Sequence, residues 1–380
     1  MPQPIRILHV VTWMSAGGLE TFIMNLYRHI DRDLVQFDFL VMREQRAFYD
    51  DEIEQLGGII YRVPPIGVRS LQSNWRALKT FFQEHPYRIV HSHIDTLSTL
   101  PLRAAKSAGV PVRIAHSHNT NMDIDGKMPF RLTSRILLPS QATGFMACSI
   151  EAGQWLFGEK RSARGQVRVI PNGVDTERFR FSPNRRREMR NALGIPAEVP
   201  VMLHVGRFSP QKNHSFLLEI FSELMHINPQ AHLILVGAGT GLASAEHRVN
   251  AYGLGSNVHF MGVRSNVQDF LSASDIFVLP SLYEGLPVTL IEAQSSGIVC
   301  FASAGRVPSE ANVSSSVHFI GLKRGAEYWA ERIAQVRLPS NSERLRGAQL
   351  VADAGYDIQG VAQQMQDFYL NKHYLYGAER

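Results

Sequence analysis

The stretch ASDIFVLPSLYEGLPVTLIEAQSSG, residues 273–297, reads as strand, loop and helix in succession. Ile276 to Leu279 is an unbroken apolar run of strand length, the form expected of a strand buried on both faces of a parallel sheet. The loop Leu282-Tyr283-Glu284-Gly285-Leu286-Pro287 follows, and Pro287 suits the first turn of the helix beyond it. Ligands of open parallel sheets bind outside the carboxyl ends of the strands, so this loop is where chemistry is expected. A carboxylate at Glu284, beside free backbone donors, accepts hydroxyl groups, while the helix N-terminus faces an anion. Glu292 lies roughly 7 to 8 Å along the helix axis from Pro287 at 1.5 Å per residue. It supplies a second carboxylate within reach of a diol.

The same alternation extends in both directions. Upstream, VMLHVGR, the helical SFLLEIFSELMHI, AHLILVG, NVHFMG and the helical VQDFLSAS lead into the quoted stretch. An earlier series runs IRILHVV, the helical GGLETFIMNLYRHI, VQFDFLVM, IIYRV, the helical NWRALKTFFQEH, RIVHSH, VRIAHS and TGFMACS. Such βαβ repetition predicts parallel sheets. Between the series, Pro171-Asn172-Gly173 is a turn signal and the basic run Arg185 to Arg190 reads as solvated. A chain of 380 residues exceeds one core of ordinary size. The expectation is therefore two Rossmann-like, doubly wound α/β domains, 1–172 and 173–356, hinged near Pro171 to Asp175. A closing helix within 357–380 is expected to pack back on the first domain.

Three further strand exits carry candidates. Ser15 to Glu20 places Gly17 and Gly18 after the first strand, where backbone N–H groups can approach a phosphate. HVGRFSPQKN puts Arg207 and Lys212 at another exit, two cations able to hold a diphosphate and stabilise it as it leaves, with Asn213 expected to cap the next helix. Two His-Ser-His triplets, His91 to His93 and His116 to His118, point both of their histidines to one face of a strand. Four imidazoles bring zinc to mind, yet no carboxylate or thiolate accompanies them, and metal is not expected.

Charged residues at 19% and hydrophobic ones at 44% exclude long disorder. The net charge of +5 favours an anionic partner. Cys148 and Cys300 alone make no disulfide framework or thiolate site and suit a reducing, cytoplasmic location. No run reaches the roughly 18 to 20 apolar residues that span a bilayer. Membrane contact would be peripheral, and KMPFRLTSRILL, Lys127 to Leu138, mixes cations with apolar residues in a way that suits an anionic lipid surface.

In order and spacing, GGLE, VIPNGVD, HVGRFSPQKN, LVGAG and ASDIFVLPSLYEGLPVTLIEAQSSG resemble the family 4 retaining glycosyltransferases of the two-Rossmann GT-B architecture. The resemblance covers nearly the whole chain, and RIAHSHNT with ACSIEAGQWLFG is most similar to the exopolysaccharide and capsule branch. It implies that Gly17 and Gly18 meet the donor from the first domain and that Arg207 and Lys212 clamp its diphosphate. Glu284, with Gly285, Leu286 and Pro287, would hold donor hydroxyls and phosphate, Glu292 the ribose, and Val263-Arg264 the base. A first-domain histidine would contact the donor sugar, here His118, with His116 the alternative; His91 and His93 would line the cleft or complete the sheet rim. The implied donor is a UDP-hexose or UDP-N-acetylhexosamine, with no metal or other cofactor. The implied acceptor is a lipid-linked oligosaccharide or similar glycan, and nucleic acid is not a partner. A sugar-nucleotide epimerase and a non-catalytic sugar-nucleotide-binding protein of the same architecture stay open. A nicotinamide enzyme does not fit, because neither Ser15 to Glu20 nor Gly237 to Gly241 has the dinucleotide glycine spacing.

Overall fold

The computed structural model describes residues 3–67, 70–119 and 128–375. Lys127, the first residue of the proposed lipid-facing segment, lies outside them. The chain divides into two compact units, Met1–Gly173 with Ile358–Arg380, and Val174–Asp357.

The first unit is built on strands β1 (Ile5–Val11), β2 (Val35–Val41), β3 (Ile60–Arg62), β4 (Ile89–Ser92), β5 (Val112–Ser117), β6 (Gly144–Ala147) and β7 (Arg168–Val169). Their order is β3-β2-β1-β4-β5-β6-β7, and the pairings are parallel. The winding therefore reverses between β1 and β4. At such a switch point the loops leaving two adjacent strands diverge to opposite faces and open a crevice. Burial on both faces marks the inner strands: all seven residues of β2 are buried, the polar Gln36 and Asp38 among them.

The second unit repeats the design with β8 (Val201–Val205), β9 (His232–Val236), β10 (Val258–Gly262), β11 (Ile276–Leu279), β12 (Val299–Ser303) and β13 (Val317–Ile320). The order β10-β9-β8-β11-β12-β13, again parallel, puts its switch point between β8 and β11. Nearby, the loops of β8 and β9 touch. Gly237 has φ 144°, and a Cβ there would stand 2.0 Å from the Gly206 carbonyl oxygen. Only glycine allows that approach.

The closing helix Ile358–Leu375 buries Ile358, Val361, Ala362, Met365 and Tyr369 in the core of the first unit, together with Phe22, Tyr27 and Phe37. Their spacing follows one face of an α-helix. Gln366 fastens it further, its Oε1 accepting from the Asp31 N–H at 2.8 Å.

The basic run reads as solvated in the sequence, and one member is not. Arg190 is buried. Its guanidinium donates to the carbonyls of Ala273, Pro196, Ala197 and Val199 at 2.8 to 2.9 Å and to Asp275 Oδ2 at 2.7 Å. Five fixed donors find enough acceptors only where several chain turns converge. Asp275 is shared with Arg186 at 2.8 Å and with the Val201 N–H at 2.9 Å.

Candidate functional site

In the second unit, the loops leaving β8 and β11 bring together residues more than seventy positions apart. Lys212 Nζ donates to Glu284 Oε1 at 2.6 Å, and the Ser281 hydroxyl donates to the same oxygen at 2.7 Å. Gln211 Nε2 donates to the Tyr283 carbonyl at 3.0 Å and makes a long 3.4 Å bond to Glu284 Oε2. The Leu282 N–H donates to the Gln211 carbonyl at 2.8 Å, and the Glu284 N–H to Arg306 O at 2.9 Å. Pairing and hydrogen bonding of this kind offset the cost of burying a carboxylate. Gly206 clears the path of the lysine: a Cβ there would meet Lys212 Cδ and Cε at 3.3 Å. Arg207 is exposed at the end of β8.

The helix Val288–Ser295 begins directly beyond, with Pro287 in the N-cap position rather than inside the first turn. The N–H groups of Gly285, Leu286, Val288 and Thr289 make no hydrogen bond among the described residues. The Thr289 hydroxyl is likewise buried without a partner. Free N–H groups at a helix start form an anion site. Glu292 is 7% exposed, and burial pushes its carboxyl up to about 7, with Arg178 drawing it back down. Val263 and Arg264 are exposed on the loop that leaves β10. Asn213 does not cap its helix. Its backbone is left-handed, φ 55°, and its amide instead donates to the Pro280 carbonyl at 3.1 Å, tying the β8 loop to the β11 loop.

In the first unit Gly17 precedes the helix Gly18–His29 as its N-cap, with its N–H turned back to Ser15 O at 2.9 Å. Gly18 faces open space. The histidines of the two triplets lie at the carboxyl-terminal ends of β4 and β5. His91 and His93 are buried, as are His116 and, at 9% exposure, His118. Alternation stacks the rings within each triplet, with centroids 4.2 Å apart for His91 and His93 and 4.1 Å for His116 and His118. Across the strands their edges meet. His91 Nε2 lies 3.1 Å from His116 Nδ1, and His93 Nδ1 lies 2.9 Å from His118 Nε2. Burial holds all four imidazoles below their ordinary pKa, His118 down to about 3.

Three members of this cluster carry no motif. His9, a lone histidine in the apolar run of β1, is in register with His91, and its Nδ1 is 2.9 Å from His93 Nε2. Tyr369 of the closing helix places its hydroxyl 2.7 Å from His91 Nδ1. Asp95, with φ 45°, accepts from the His118 N–H at 3.1 Å and from Asn119 Nδ2 at 2.6 Å. A left-handed non-glycine residue there marks a turn held by its surroundings. Burial pushes the Asp95 carboxyl up to about 6 against those hydrogen bonds.

Two family models match the chain: "Glycosyltransferase Family 4" over residues 16–178 and "Glycosyl transferases group 1" over residues 185–345. It is 37% identical to a putative glycosyltransferase, EpsF, of Bacillus subtilis, with 93% of each chain covered. It is 30% identical, over 79% of each chain, to an Escherichia coli enzyme named UDP-Gal:alpha-D-GlcNAc-diphosphoundecaprenol alpha-1,3-galactosyltransferase. Among solved structures, Anabaena HepE in complex with UDP and glucose matches with a TM-score of 0.76 at 18% identity, covering 96% of this chain and 99% of that one. The last likeness is one of fold, GT-B.

Proposed function

The chain belongs to the family 4 glycosyltransferases, and from that premise we propose that it moves a hexose or N-acetylhexosamine from a UDP-sugar to a lipid-linked oligosaccharide in exopolysaccharide or capsule assembly, with retention and without metal. The observation that carries this is the Lys212–Glu284 pair at the β8/β11 switch point, set before a helix start with free N–H groups. Lys212 and exposed Arg207 would neutralise the donor diphosphate. The N–H groups of Gly285, Leu286, Val288 and Thr289 would take its oxygens, while Glu284 accepts sugar hydroxyls and Glu292 the ribose diol. Val263 and Arg264 would border the base. In the first unit, Gly17 and Gly18 offer backbone to the donor, and His118, the less buried of its triplet, would meet the sugar, with His116 behind it.

Transfer then breaks the bond from the anomeric carbon to the diphosphate oxygen and forms one to the acceptor oxygen on the same face. The acceptor proton passes to the departing phosphate. Fixed cations stabilise the charge that develops on the leaving group. The names of two relatives support the acceptor class: the diphosphoundecaprenol galactosyltransferase and a capsular polysaccharide enzyme, CapH, of Staphylococcus aureus.

Among the described residues no helix is long and apolar enough to cross a membrane. The proposed contact with an anionic, cytoplasmic membrane face is peripheral. In the helix Met128–Leu137, Met128, Leu132 and Ile136 are exposed at a four-residue spacing that aligns them on one face, with Arg131 and Arg135 beside them.

A thermal-shift screen against UDP, GDP, ADP, NAD and UDP-sugars, with and without EDTA, tests the donor assignment. Saturating UDP at about 100 times its Kd should stabilise the fold by about 2.7 kcal/mol. The shift should be indifferent to EDTA. Lys212→Ala, which removes a charge-assisted bond worth about 1.5 to 3 kcal/mol, should weaken UDP roughly tenfold to a hundredfold. A shift with NAD alone would overturn the reading, and turnover with a polyprenyl-diphosphate-linked glycan separates an enzyme from a binding protein.

A further inference from the structure

We propose that His93, His116 and His118 form a binding site for one divalent metal ion of the zinc type inside the first unit. Each of the three can present a ring nitrogen so that the nitrogens lie within 4.8 Å of one another. Zinc to imidazole nitrogen distances of about 2.0 to 2.1 Å place tetrahedral ligand atoms roughly 3.3 Å apart. The 2.9 Å between His93 Nδ1 and His118 Nε2 is within a few tenths of an ångström of that value. An ion would replace the single proton the two nitrogens now share.

The surroundings are those of a ligand set. Metal-bound imidazoles usually have their second nitrogen fixed by an outer partner. His93 Nε2 is held by His9 Nδ1 at 2.9 Å, and His116 Nδ1 by His91 Nε2 at 3.1 Å, with His91 in turn against the Tyr369 hydroxyl at 2.7 Å. His116 Nε2 and His118 Nδ1 are buried with no hydrogen-bond partner, so the hydrogen bonds within the cluster do not exhaust its lone pairs.

The sequence argues against metal because no carboxylate or thiolate stands beside the triplets. Three histidines with an open fourth position are nonetheless an ordinary zinc set. An all-nitrogen set selects zinc, cobalt, nickel or copper over the oxygen-seeking magnesium and calcium. A second triad, His9, His91 and His93, shares one member, and His118, at 9% exposure, is the least buried of the five histidines. His118 cannot ligate and face a sugar hydroxyl through the same nitrogen. The ion is thus an alternative occupant of this corner of the first unit and not a cofactor of transfer, and the proposal does not rest on the transferase reading.

The test uses the full chain, stripped with EDTA and desalted. Cobalt(II) is titrated in while the visible bands of four-coordinate cobalt are followed, and zinc retained through gel filtration is counted by mass spectrometry. One ion per chain is expected, with magnesium neither bound nor competing. Binding should be lost in His93→Gln and in His118→Gln. It should be kept in His232→Gln, which breaks the separate His232–His259 pair of the second unit, 3.0 Å apart. Absence of the cobalt bands and of retained zinc in the unaltered protein would overturn the proposal, whether or not the variants fold. So would full retention in either His93→Gln or His118→Gln, or loss in His232→Gln.

Discussion

Glu292 should make nucleotide binding depend on pH in a way that one isosteric substitution removes. Its carboxyl is buried in the helix that follows the Glu284 loop, and burial holds its pKa at about 7, where an ordinary glutamate would be ionised throughout the neutral range. If it holds the ribose, the ionised form is the better acceptor for two hydroxyls, since charge-assisted bonds are about twice as strong as neutral ones. The sign follows directly. A raised pKa leaves the group mostly neutral at pH 6 and mostly ionised at pH 8, so affinity should rise with pH. With a midpoint near 7 the ionised fraction grows from about one in eleven to about ten in eleven, a limit of about tenfold in Kd, or ~1.4 kcal/mol. At pH 7 binding should also release up to about half a proton. Calorimetric titration of UDP at pH 6, 7 and 8, in buffers of different ionisation heat, measures both quantities. UDP has its own titrating phosphate, and the comparison with Glu292→Gln cancels it. Equal pH slopes in the two proteins, or no difference in proton release, would refute the assignment.

Asp275→Ala should destabilise the second unit by about 3 to 5 kcal/mol, because it leaves the buried Arg190 and its neighbour Arg186 uncompensated; calorimetric unfolding that moved by less than about 1 kcal/mol would count against that network. Gly237→Ala forces a Cβ into the Gly206 carbonyl at a backbone angle only glycine favours, so it should cost at least about 2 kcal/mol and weaken UDP binding through the Arg207–Lys212 loop, read in the same melting experiment with and without UDP. Arg131→Glu with Arg135→Glu should abolish flotation with anionic vesicles while leaving UDP binding intact, and unchanged flotation would sink the membrane face.

The candidate site of the second unit is legible in the sequence because each of its parts lies in one unbroken stretch. An apolar strand, a glycine or proline turn and an amphipathic helix mark where a loop exits, and the residues just past the strand are then the candidates. What such a stretch does not reveal is who meets whom. Lys212 and Glu284 are separated by a strand order, β8 beside β11, that no local pattern encodes, and so their ion pair cannot be read from either motif. His9 escapes notice for a related reason. A single histidine among Ile, Leu and Val looks like a strand impurity until register sets it against His91. Arg190 and Asn213 mislead because charge and polarity suggest solvent or capping, whereas both side chains are claimed by carbonyls brought in from distant loops. The zinc-type set follows the same logic, since motif spacing counts ligands along a strand while the ligating distances run across strands.

The closing helix also bears on how the protein is made. Ile358, Met365 and Tyr369 belong to the first core, yet they leave the ribosome after about 180 residues that build the other unit. Chains are elongated at about 5 to 20 residues per second, so the amino-terminal sheet waits roughly 10 to 40 seconds for its last wall. During that time Phe22, Tyr27 and Phe37 have their partners from the amino-terminal strands and helices but lack the closing helix, while the carboxyl-proximal unit already has all of its own sequence. Truncation before Ile358 would leave the Val174–Asp357 unit whole and take this helix out of the other unit's core.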